Sequence, residues 1–78
     1  MKILFDQGTP VPLRKFLKEH IVETAYETGI SEFQNSQLLQ FAEESGFDLL
    51  ITTDQNLKYQ QDLKDKKLAI LVLRTTPG

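Results

Sequence analysis

Two aspartates stand at the ends of apolar runs, Asp6 after Ile3-Leu4-Phe5 and Asp54 after Leu49-Leu50-Ile51-Thr52-Thr53, and turn or capping residues follow each at once. The pattern predicts two strands that each deliver a carboxylate at the carboxyl end. In an open parallel sheet, ligands collect outside those ends. Neighbouring strands lie about 4.8 Å apart, so acids on adjacent strands approach closely enough to share a divalent cation. Each acid also has an ordinary use. Asp54 suits a helix N-cap, a role that stabilises a helix by about 1 kcal/mol without any ion. Asp6 suits a turn, its side chain accepting from nearby backbone N–H groups.

The elements that would position this pair can be read along the chain. Lys2 to Phe5 is a short buried strand, and Asp6-Gln7-Gly8 turns it. Thr9 is expected to cap the next helix, with Pro10 at its first position and Pro12 in its first turn. Leu13, Phe16 and Leu17 form its inward face, while Arg14, Lys15 and Lys18 point outward. Ile21 to Ala25 is a second strand at the sheet edge, since one side carries polar groups. Asn35 caps a helix in which Leu38, Phe41, Ala42 and Ser45 recur at helical spacing, and Gly46 supplies the left-handed stop. Phe47 to Thr53 is the third strand, followed by a helix from Asp54 to about Gln61 and a fully apolar fourth strand, Leu68 to Leu73. Strands alternating with helices imply right-handed crossovers and a parallel sheet. If the first crossover runs one way and later strands add on the other side, the order is 2-1-3-4, with the first and third strands adjacent.

Seventy-eight residues allow one domain, spanning 1–78, with a thin core. There is no cysteine and one histidine, His20, which argues against disulfides and against a zinc centre. No leader-like or membrane-spanning apolar run is present, and the chain is read as cytoplasmic. The net charge of −2 conceals a segregation. Residues 1–18 carry +3, residues 19–54 carry −8 with no lysine or arginine, and residues 55–78 carry +3. Such blocks form solvated faces, or a basic stripe for a polyanion if the two terminal segments are neighbours in the fold.

The opening Ile3-Leu4-Phe5-Asp6, the run from Gly46 to Leu57 with Thr52-Thr53-Asp54 at its centre, and the Leu68 to Leu73 strand together resemble the small PIN-like domains related to toxin ribonucleases of toxin-antitoxin systems. The likeness covers nearly the whole chain. It implies a PIN-like three-layer α/β fold with helices on both faces of a short parallel sheet, and further helical and strand material after the last strand. It also implies a Mg2+ or Mn2+ site in which Asp6 and Asp54 are metal ligands and Gln37 takes the place of a third, acidic residue. Gln7 likewise follows Asp6 where many relatives have glutamate. The activity implied is metal-dependent hydrolysis of RNA phosphodiesters, with Asp6, Asp54 and Gln37 as catalytic residues and a cognate antitoxin, for instance of helix-turn-helix type, as partner.

Other residues fill supporting roles in this reading. Arg14, Lys58 and Tyr59 are candidate substrate contacts, since cationic and aromatic groups together suit single-stranded nucleic acid. Asp48 lies some six residues, about 20 Å, from Asp54 along the strand and is expected to be a solvated turn acid. Glu32 and His20 are expected at the surface. The apolar fourth strand leaves an uncovered edge or face, so a homodimer or a tightly bound partner is expected. The amide at Gln37 opens an alternative of another class, a catalytically degenerate module that binds RNA or a protein. A receiver-like phosphoacceptor ranks below both, because Gln7 replaces the second acid and no lysine follows a fifth strand.

Overall fold

The computed structural model describes residues 1–55, 57 and 67–74. Its four strands are β1 (Lys2–Phe5), β2 (Ile21–Thr24), β3 (Leu49–Thr52) and β4 (Ala69–Val72), all parallel, in the order β2-β1-β3-β4. This is the order expected from the crossovers. A 3₁₀ helix, Val11–Leu17, joins β1 to β2, and one α-helix, α1 (Asn35–Glu44), joins β2 to β3. None of the helices among the described residues is long and apolar enough to cross a membrane. The helix expected from Asp54 to Gln61, with Lys58 and Tyr59, falls largely outside the described residues.

Because side chains alternate along a strand, β1 and β3 each feed two cores. Leu4 and Leu50 pack with Leu38, Leu39 and Ala42 of α1, and with Ala25, Ile30, Phe47, Leu57 and Leu68. Ile3, Phe5 and Ile51 face the other way, where Leu13 and Leu17 of the 3₁₀ helix lie against them with Val22, Leu49 and Leu73. The α1 face is the larger core. On the second face the 3₁₀ helix reaches only part of the sheet, and Leu71 of β4 stays 47% exposed there.

Three local expectations are corrected. Thr9 does not cap the 3₁₀ helix; Pro10 holds the N-cap position, and the buried Thr9 hydroxyl instead donates to the Ile51 carbonyl at 2.9 Å. Had Thr9 been the cap, the third helical residue would be Pro12, which has no N–H to offer. Phe16 is 74% exposed rather than inward, with the Lys15 ammonium 5.4 Å from its ring centroid. Phe16 and Leu17 are sequence neighbours that must diverge by a third of a turn, and the narrow patch beside Ile3 and Phe5 takes Leu17. The α1 N-cap is Gln34, one residue before the expected Asn35. Gly46 ends the helix with φ of 79°, as the left-handed stop requires.

Candidate functional site

Parallel register sets Phe5 opposite Ile51, so the next pair along the two strands is Asp6 beside Thr52. The Asp6 N–H donates to the Ile51 carbonyl at 2.8 Å, which extends the ladder one step past the strand. The Asp6 carboxylate is then held at both oxygens. Oδ2 accepts the Thr52 hydroxyl at 2.6 Å, and Oδ1 accepts the Gln7 N–H at 2.7 Å. The same Thr52 hydroxyl oxygen accepts the Asp54 N–H at 3.0 Å. Thr52 is fully buried, so a single hydroxyl, donor on one side and acceptor on the other, ties the two sequence-predicted acids to one edge of the sheet.

Gly8 allows the loop after β1 to close on this edge. Its φ is 96°, and a Cβ there would lie 3.1 Å from Thr53 Oγ1. A cleft of about 140 Å³ opens beside Asp6, lined also by Gln7, Thr9, Val11, Thr24 and Tyr26. It lies toward β2, and Asp54, on the β3 side, does not line it.

Gln37 sits near the start of α1, which follows β2 and therefore begins at the same carboxyl edge of the sheet. Its side-chain oxygen accepts the Gln34 N–H at 3.1 Å, the role a glutamate plays in a capping box. Arg14 does not project outward as expected. Its guanidinium donates to Glu27 at 2.7 Å and to the Val22 carbonyl at 2.6 Å. The Arg14 guanidinium, and then the Thr24 N–H, hold the Glu27 carboxyl below its ordinary value. Glu32 and His20 are exposed, as expected. Lys58 and Tyr59 lie outside the described residues.

At the amino end of the strands Asp48 does more than meet solvent. Its Oδ2 accepts the Lys2 N–H at 2.8 Å, and its own N–H donates to the Lys2 carbonyl at 2.7 Å. The Lys2 ammonium donates to the Ser45 carbonyl at 2.8 Å and lies 4.4 Å from the centroid of the Phe47 ring. The two terminal basic segments are not neighbours in the sheet, because β3 separates β1 from β4.

Thr52 is the residue that sequence reasoning undervalued. A threonine at a strand end reads as β propensity, and its pairing with Asp6 depends on register, which no single strand encodes. The oxygen donors present suit a hard cation. Each Asp6 oxygen keeps a lone-pair direction beyond its one hydrogen bond, and Mg2+ is commonly held by one or two carboxylates with water and substrate phosphate. Among the described residues no group of three or more acids, histidines or cysteines that could hold a metal ion forms. Compared with known proteins, the chain matches no family model, no curated protein and no solved structure.

Proposed function

We propose that this chain is a PIN-like, metal-dependent ribonuclease of the toxin type, with its active edge at Asp6, Thr52 and Asp54. The fold supports this reading in its coarse form, a parallel sheet of order 2-1-3-4 whose helices pack against alternate residues of β1. The observation that carries it is the Thr52 hydroxyl, which joins the Asp6 carboxylate to the Asp54 amide at distances of 2.6 and 3.0 Å.

Asp6 and Asp54 would hold one Mg2+ or Mn2+. When bound, the cation supplies positive charge to the phosphodiester and lowers the pKa of a coordinated water. The protein's part is positioning. Thr52 and Gln7 each donate to one Asp6 oxygen and so fix the carboxylate plane before any substrate arrives. Tyr26, 85% exposed on the wall of the cleft, offers a ring on which a base can stack. In this reading the chain acts in the cytoplasm on RNA and is held in check by a cognate antitoxin.

Manganese-dependent cleavage of single-stranded RNA, measured with the native chain and with Asp6→Asn and Asp54→Asn, tests the proposal. Cleavage lost in both variants supports it. A native chain that neither cleaves with Mg2+ or Mn2+ nor binds Mn2+ by calorimetry ends it.

A second reading rests on the amide at position 37, whose oxygen is engaged by the helix cap. On that reading the chain is a degenerate PIN-like module that binds RNA or a protein without cutting. Gln37→Glu then confers Mn2+ affinity that the native chain lacks, and equal affinity in the two proteins rules the degenerate reading out.

A further inference from the structure

The two outer strands of the sheet differ in what they leave for another chain. In β2 the N–H groups of Ile21 and Ala25 donate to Met1 and Phe5 of the first strand's segment, so by alternation Val22 and Thr24 turn their backbone groups outward. Three of those four groups are taken. Arg14 donates to the Val22 carbonyl, the Thr24 N–H donates to Glu27, and the Thr24 carbonyl accepts from the Thr28 N–H and hydroxyl. In β4 the N–H groups of Ala69 and Leu73 donate to Asp48 and Thr52, so Ile70 and Val72 turn theirs outward. Among the described residues nothing bonds to them.

We infer that the β4 edge is a docking site for an extended, acid-flanked segment of another protein, which adds to the sheet as a fifth strand. The backbone groups of Ile70 and Val72 supply the ladder. An added strand also shields Leu71, exposed on the thinly covered face. Charge selects the occupant. β4 is bracketed by exposed Lys67 and Arg74. A second copy paired two-fold through Ala69–Val72 sets Lys67 of each copy beside Arg74 of the other, like charges at both ends. The β2 edge of a second copy is already occupied by its own side chains. An incoming strand with glutamate or aspartate at its ends meets both cations favourably. Of the dimer and the bound partner expected from the apolar fourth strand, these charges favour the partner.

The test uses two dye-labelled peptides that alternate valine with threonine, one ending in glutamates and one in lysines, titrated with the full chain at low salt. The glutamate-ended peptide is expected to bind roughly fivefold tighter, the ratio that two partly exposed ion pairs give. Val72→Pro removes an outward N–H, leaves the ladder to β3 its donors, and is expected to abolish binding without loss of the thermal transition. Should that variant unfold, Lys67→Glu with Arg74→Glu serves instead and is expected to reverse the preference. The inference is overturned if neither peptide binds, if both bind equally, if binding survives Val72→Pro, or if the double charge reversal leaves the preference unchanged. It is also overturned if sedimentation shows a dimer that Val72→Pro dissociates, because the edge then belongs to a second copy.

Discussion

At the β2 edge, Arg14, Glu27 and Thr28 cover the outward Val22 carbonyl and both outward groups of Thr24, whereas at the β4 edge no described residue bonds to the outward groups of Ile70 and Val72. The two strands are also fastened by different physics. β2 packs Val22 against the second core and is otherwise held by hydrogen bonds and one ion pair, with no residue of Ile21–Thr24 fully buried. β4 is apolar and is anchored through Leu68, 4% exposed, and Ile70 in the α1 core. A polar clip satisfies an edge and closes it in one step. Apolar anchoring fixes a strand from its faces and leaves its hydrogen-bonding side open.

The comparison breaks most visibly at Leu68. Leu68→Ala leaves a cavity where β4 enters the core, and a loss of about 2 to 4 kcal/mol is expected in urea denaturation, a large part of what so small a domain possesses. If the loss is below about 1 kcal/mol, β4 is not held from its face.

Arg14→Ala is next. It frees the Val22 carbonyl and removes the ion pair with Glu27, and the melting temperature is expected to fall by a few degrees. The same substitution opens the β2 edge, so sedimentation at rising concentration is expected to show self-association that the native chain lacks. A variant that stays monomeric at all concentrations removes the blocking role assigned to the clip.

Acid distinguishes the two edges without mutation. The Glu27 carboxyl is held below the ordinary 4.5, so its contribution is complete above that value and disappears as pH falls through its folded-state value. Amide protection at Thr24 is expected to drop over that range while protection at Leu71, whose strand shows no carboxylate fastening to its backbone among the described residues, falls later. Glu27→Gln is expected to abolish the difference, and equal loss at both amides in the native chain speaks against a clip governed by Glu27.

The smallest effect is expected at Leu71→Thr. The side chain is half exposed and threonine suits a strand, so stability changes by about 0.5 kcal/mol or less. A larger loss means that Leu71 is covered in solution, and sedimentation then tells whether a second copy covers it.

The backbone plan was open to reading because it rests on local signals. Continuous apolar runs bounded by Asp6-Gln7-Gly8 and by Gly46 marked β1 and β3 to within two residues, and Gly46 needs no tertiary context to stop a helix. The candidate site was half legible. The two acids announced themselves as strand-end residues, but the buried hydroxyl between them did not, because Thr52 meets Asp6 only through a register that two separated strands must agree on. Phe16 went astray for a related reason, since helical spacing tells which residues share a side and not how wide a patch awaits them. Arg14 looked like a free cation until its neighbour in space, Glu27, was known.

Alternating strands and helices, the left-handed glycine stop and the two strand-end aspartates follow from the amino-acid sequence alone, because apolar periodicity, φ preference and turn chemistry act over a few residues. Which edge of the sheet is clipped by side chains, which hydroxyl joins Asp6 to Asp54 and which of two adjacent apolar side chains packs inward were settled only in three dimensions. Those outcomes depend on hydrogen-bond partners and contact surfaces brought together from distant parts of the chain, and no local preference carries that information.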